Sequence, residues 1–118
     1  MLGDQPKIGC VFFRTSTGHE PVREWLRGLD APTRKTIGRD VLDVQYRWPV
    51  SRPLVGSLGD GLFEVRTSCA AGEFRVLFYI CASDMVVLHG FCKKTNKVPK
   101  SELSVASERK RLHERNGR

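Results

Sequence analysis

An α+β domain built on a small antiparallel sheet is what three observations predict for this 118-residue chain. Strand-like runs open the sequence and fill residues 62–92, two apolar stripes of helical period lie between them, and a basic helical segment follows. The implied order is β-α-α-β-β-β-α, with the helix hairpin packed on one face of the sheet.

The first strand is the apolar run Ile8–Phe13, ended by the turn-prone Thr15-Ser16-Thr17-Gly18. Pro21 then sits near a helix start, and Val22, Trp25, Leu26 and Leu29 recur at i, i+3, i+4 and i+7, which predicts a helix over 20–28. Asp30 caps a second helix with Pro32 in its first turn, and Ile37, Val41, Val44 and Trp48 carry its stripe to Pro49. Residues 49–61 mix prolines and glycines with Leu54, Val55 and Leu58, and read as a loop that packs. Leu62–Thr67 alternates, Ala70-Ala71-Gly72 turns the chain, Phe74–Cys81 is the next strand, and Ala82-Ser83-Asp84 leads into Met85–Cys92. Short turns make these three an antiparallel meander. Pro99 opens the last helix, whose weak stripe of Leu103, Ala106 and Leu112 predicts a loosely held basic distal half.

Length and a 40% hydrophobic content suit one core and one domain over 1–118, with a flexible start at 1–7 and a basic helix and tail at 99–118. No apolar run is long enough for a bilayer and the opening residues do not read as a secretion signal, so the cytoplasm is the expected location. Cys10, Cys69, Cys81 and Cys92 form no Cys-x-x-Cys pair and have no complementary His spacing. They read as reduced structural thiols, with no metal and no cofactor expected. The net charge is +7, and residues 93–118 hold nine Lys/Arg against three Asp/Glu, so nearly all the excess lies there. A polyanion, or an acidic protein, suits such a segment.

Alternation assigns faces. In the middle strand of the meander Phe74, Val76, Phe78 and Ile80 point one way and Arg75, Leu77 and Tyr79 the other; in the strand before it Phe63 and Val65 oppose Glu64 and Arg66. The hairpin should cover the apolar face and leave Glu64, Arg66, Arg75 and Tyr79 on the opposite one. In the last strand both parities are apolar until His89, Phe91 and Lys93 share one side. Alternation does not say which set joins the arginines.

Guanidiniums on adjoining strands, with Lys93-Lys94-Thr95-Asn96-Lys97 just beyond, could converge on one phosphate. RNA is cut without a metal when its 2′-OH attacks the adjacent phosphate, a step that needs fixed cations and proton carriers. Arg66, Arg75, Lys93, Lys94 and His89 are the candidate catalytic residues, and Glu64, Lys97, Lys100 and Tyr79 the candidate RNA-binding ones. The general base stays open among His89, Glu64 and a lysine. Each has a plainer reading: Glu64, Arg66 and Arg75 as a solvated ion-pair face, His89 as a satisfied core residue, Tyr79 as sheet packing. Trp25 and Trp48 read as core, and His19 and His113 are given no role.

The compound pattern Gly61-Leu62-Phe63-Glu64-Val65-Arg66, then Phe74-Arg75-Val76-Leu77-Phe78, then His89-Gly90-Phe91-Cys92-Lys93-Lys94-Thr95-Asn96-Lys97-Val98-Pro99 resembles the RelE/HigB toxin superfamily, most of all its phage-derived HigB branch. The likeness spans about Ile8 to Arg111. It implies a RelE-like fold and the toxin of a type II toxin–antitoxin module, a metal-independent mRNA endoribonuclease acting at the ribosomal A site and leaving a cyclic phosphate. Arg75, Arg66 and the cluster Lys93, Lys94 and Lys97 match the superfamily's basic site residues. That branch tends to carry lysines where others carry His or Tyr, which puts a dedicated catalytic His89 in doubt. The implied partners are mRNA, the ribosome and a cognate antitoxin with a helix-turn-helix; the chain shows no DNA-reading motif of its own, and no membrane partner is expected. The competing reading is a non-catalytic RNA-binding or antitoxin-docking module on the same scaffold. An Arg75→Ala chain is expected to stay folded and lose its growth arrest.

Overall fold

The computed structural model describes residues 5–116, so residues 1–4 of the expected flexible start and 117–118 of the expected tail lie outside the described residues. The elements are β1 (Gly9–Phe12), α1 (Pro21–Arg27), α2 (Ala31–Arg47), β2 (Val55–Gly59), β3 (Leu62–Cys69), β4 (Gly72–Cys81), β5 (Asp84–Lys93) and α3 (Lys100–Arg115). They build one five-stranded sheet in the order β1-β5-β4-β3-β2. The predicted α+β order stands, with one strand added. The stretch read as a packed loop contains β2, which pairs antiparallel with β3 through a turn in which Gly59, Asp60 and Gly61 all take positive φ. Three left-handed residues in a row, two of them glycine, allow the reversal that sequence alternation alone did not signal. β1 joins the meander in parallel beside β5, so the sheet is mixed.

The sheet is covered on both faces. The α1–α2 hairpin lies on one, where Val22, Ile37, Val44, Val65, Val76 and Phe78 are buried. Trp48 meets Phe63 and Phe78 edge-on at ring-centroid distances of 5.2 and 5.7 Å. Such pairs add about 0.5–1.5 kcal/mol each beyond the area they bury. Asp30 caps α2 as expected, accepting from the Thr33 amide at 3.3 Å and the Thr33 hydroxyl at 2.7 Å, and these bonds hold its carboxyl below the usual range.

α3 lies on the other face over Leu77, Tyr79, Val86 and Leu88. Its distal half is firmly packed rather than loose. Its apolar stripe is completed by polar groups: the buried His113 Nδ1 lies 2.6 Å from the Tyr79 hydroxyl, and Arg109 donates to the Leu88 carbonyl at 2.9 Å. Tyr79 is therefore buried under the helix, with the Lys110 amine 5.3 Å from its ring centroid, and offers no open face for stacking a base. The sheet-packing role is the one it fills. None of the four cysteines is joined in a disulfide, and burial pushes the Cys10 thiol up to about 11.

β5 carries the feature that decides the faces. Phe78 pairs with Val87 and Leu77 with His89, so Leu88 is an extra residue and its strand switches sides at the bulge. Before it, Val86 faces α3 and Val87 the hairpin; after it, Phe91 faces α3 while Gly90 lies beneath Trp25. A Cβ at Gly90 would stand 2.3 Å from the Trp25 ring, whereas one at Gly38, in the middle of α2, meets nothing within 4 Å. Gly90→Ala should accordingly destabilise by about 1–3 kcal/mol through overpacking. Gly38→Ala should stabilise by about 0.5–1 kcal/mol through helix propensity. Urea midpoints moving in opposite directions would check both.

Candidate phosphate-binding site

Register across β3, β4 and β5 converts the sequence pattern into a grid. Glu64 stands opposite Leu77, which stands opposite His89; Arg66 opposite Arg75, opposite Phe91; Ser68 opposite Glu73, opposite Lys93. Directly opposed side chains start about 5 Å apart, and successive rows are roughly 7 Å apart along the strands. Arg75 is the centre. The bulge at Leu88 is what delivers His89, Phe91 and Lys93 to the arginine side, the question alternation left open.

The two arginines differ in environment. Arg66 is half-buried and lines a cleft of about 400 Å³ together with Asp40, Arg52, Ser68, Glu73 and Arg75; the Asp40 carboxylate there accepts from the Thr67 hydroxyl at 2.7 Å. Arg75 is buried, with its Nε 3.4 Å from Glu64 Oε1 and its Nη1 3.6 Å from Glu73 Oε1 and 3.0 Å from the Phe74 carbonyl. The Glu64 contact is within ion-pair range but out of hydrogen-bond alignment, and both atoms are buried without a hydrogen-bond partner among the described residues. Glu64 fits there because Gly56 faces it: a Cβ at that glycine would stand 2.7 Å from the carboxylate. Glu73 accepts from the Ser68 hydroxyl at 2.5 Å, and this bond first, then the nearby Arg75 charge, holds its carboxyl below the usual range.

The lysines beyond β5 divide into two kinds. The Lys93 amine turns back onto the Thr95 and Asn96 carbonyls, organising the loop that follows. Lys94, Lys97 and Lys100 are exposed, and among the described residues their amines make no hydrogen bond or ion pair. His89 is half-buried, with Nε2 2.5 Å from Glu102 Oε1 in the first turn of α3 and Nδ1 3.5 Å from Arg109 Nη1. Its ring stacks on Phe91 at 5.7 Å. This histidine both ties the helix to the sheet and stands diagonal to Arg75 on the grid.

Sequence reasoning missed Arg52, which brings a cation to the cleft from a loop with no regular pattern. It also missed Glu102, an ordinary first-turn acid until the tertiary fold sets it beside His89. Among the described residues no group of three or more His, Cys, Asp or Glu is placed to hold a metal ion, and no helix is long and apolar enough to cross a membrane.

Residues 24–111 match the model of a family described as Phage derived protein Gp49-like (DUF891). A comparison with curated proteins gives no match.

The burial of Arg75 revises the expectation that Arg75→Ala leaves the fold intact. Deleting one member of a buried ion pair leaves the other charge uncompensated, at a cost of about 3–5 kcal/mol. Arg75→Ala should lower the urea midpoint by that order, adding Glu64→Gln should restore part of the loss, and Arg66→Ala alone should stay within about 1 kcal/mol of the parent. Equal stability of the Arg75→Ala and Arg66→Ala chains would contradict the buried pairing.

Proposed function

The chain belongs to the phage-derived Gp49-like family, a RelE/HigB-type toxin family associated with toxin–antitoxin modules, and we propose that it is the toxin of such a module, on the HigB-like branch: an endoribonuclease cutting ribosome-bound mRNA in the cytoplasm. Family membership implies an antitoxin partner. A helix-turn-helix in that partner would supply a DNA-reading element, for which this sequence shows no motif.

The observation that carries the reading is the direct opposition of Arg66 and Arg75 across β3 and β4. Like charges at opposed positions repel. Glu64 and Glu73 offset Arg75, but Arg66 has no carboxylate within ion-pair range among the described residues and opens on the cleft. A phosphate between the guanidiniums would turn the repulsion into two charge-assisted contacts.

In the proposed step the 2′-oxygen attacks phosphorus and gives up its proton. The bond to the 5′-oxygen breaks, that oxygen takes up a proton, and the products are a 2′,3′-cyclic phosphate and a 5′-hydroxyl. Arg66 and Arg75 would hold the non-bridging oxygens, where charge grows in the transition state. Lys94, Lys97 and Lys100, with unengaged amines, would hold flanking phosphates or the leaving oxygen. Lys93 would shape their loop. His89, oriented by Glu102, is the favoured proton carrier of this reading, because Glu64 is committed to the buried pair. Tyr79 has no place at the RNA surface.

The burial of Arg75 favours a second reading, a binding module in which the pair is structural. Primer extension on transcripts after induction separates the two, since the enzyme gives discrete breaks and the binder blocks translation with transcripts uncut. Arg75→Lys keeps a cation beside Glu64 and loses only the fork. The Arg66→Ala/Arg75→Lys chain should remain folded and cut about 10²–10³-fold more slowly, the usual scale for losing transition-state donors. Undiminished cleavage by that folded variant would overturn the assignment.

A further inference from the structure

The grid uses one end of the sheet, and the opposite edge is open. Gly9 donates to the Ser83 carbonyl and Phe13 to the Val87 carbonyl, so the odd residues of β1 turn their backbone groups toward β5. In a parallel ladder the N–H and C=O of Cys10 and Phe12 then point away from the sheet. Among the described residues no strand pairs with that outer edge. An open edge of this kind is a template for another strand.

The surroundings specify what kind. Two cavities of about 500 Å³ each share Phe13, Arg14, Thr15, Ser16 and Asn116 and run on from one another along this edge. On the α3 side the wall is mostly apolar, with Phe13, Val105 and Leu112; the charged groups there are Arg109 and Glu108, the latter already paired with Arg111. On the α1 side it is cationic. Arg14 and Arg23 both pair with the single carboxylate of Glu20, at 3.1 and 2.5 Å, which leaves one unit of positive charge, and Arg23 also covers the Phe12 ring at 4.4 Å. Val11, 38% exposed, lies on the edge itself. A second copy of this chain would bring its own Arg14 and Arg23, and a net charge of +7, against the same wall. An acidic strand is complementary to it.

We propose that the outer edge of β1 is the docking site of the antitoxin, which adds an extended segment as a sixth strand, its apolar residues toward Phe13, Val105 and Leu112 and its acidic residues toward Arg14 and Arg23. This rests on the toxin reading for the identity of the partner. The contact itself is β-augmentation: main-chain hydrogen bonds supply affinity, and alternate side chains supply specificity.

The test uses the full chain and a fluorescein-labelled octapeptide of alternating aspartate and valine, followed by anisotropy and by amide hydrogen exchange. Binding that protects the Cys10 and Phe12 amides, and that weakens at least tenfold when alternate peptide nitrogens are methylated, is expected. Arg14→Glu/Arg23→Glu should weaken it likewise with only a small drop in the urea midpoint, because the pairs it breaks with Glu20 are largely exposed. That variant should still arrest growth and cut transcripts, so failure of the docking site and failure of the nuclease reading are separable. No binding, protection confined to residues 52–75, self-association through β1, or loss of cleavage in the charge-reversed variant would each overturn the proposal.

Discussion

A single inserted residue in β5 governs the chemistry of this molecule. With Leu88 set out of register, the strand crosses from one alternation to the other, so its first half fills both cores and its last half sends His89, Phe91 and Lys93 to the face of Arg66 and Arg75. Without the bulge, continued alternation would bury a histidine and a lysine under the α1–α2 hairpin and present Gly90 and Cys92 beside the arginines. The inversion is locked from the other side. Trp25 occupies the space over Gly90 so closely that a slip of one residue would drive a side chain into the indole. Packing on the hairpin face thereby fixes the composition of the opposite one.

The same face shows a tension between stability and use. Burying Arg75 beside Glu64 desolvates two charges whose contact is misaligned, an arrangement that stabilises less than a well-made pair. Its merit is positional. A guanidinium hemmed in by Glu64, Glu73 and the Phe74 carbonyl has few alternative rotamers and meets a ligand already oriented. Arg66 complements it from the cleft, half-exposed and, among the described residues, without a carboxylate within ion-pair range. A fixed cation beside an accessible one suits capture of an anion followed by stabilisation of growing charge.

The parts of this architecture that depend on period were legible in the sequence. The stripe through Val22, Trp25 and Leu26, the Asp30 cap, the meander and the arginine parity in β3 and β4 follow from spacings of 3.6 and 2, and all are found. The strand at Val55–Gly59 was hidden because the reversal after it runs through Gly59, Asp60 and Gly61, whose positive φ values composition alone does not announce. Which face His89 joins was hidden because a bulge leaves no mark in an apolar run such as Met85–Leu88. α3 was misjudged for another reason. Its distal contacts are polar, made by Arg109 and His113, and an apolar stripe count undervalues a helix held by hydrogen bonds to the sheet beneath it. Arg52 and Glu102 reach their places only through tertiary structure.

β1 and the grid do not overlap, and this has a consequence for how the chain could be controlled. β1 pairs with Asp84–Val87 and ends there, so among the described residues the second half of β5, from the bulge to Lys93, has β4 as its only strand partner. A partner strand along the outer edge of β1 would cover none of Arg66, Arg75, His89 or the lysine loop. Its influence on a reaction at the grid would have to come from bulk that keeps the chain off a large target, or from α3, which lines the apolar side of the edge groove and also carries the Glu102 and Arg109 contacts to His89. The first route needs a partner too large to fit beside the target. The second needs only that an inserted strand shift the helix, because displacement of Glu102 would free His89 from the carboxylate that orients it.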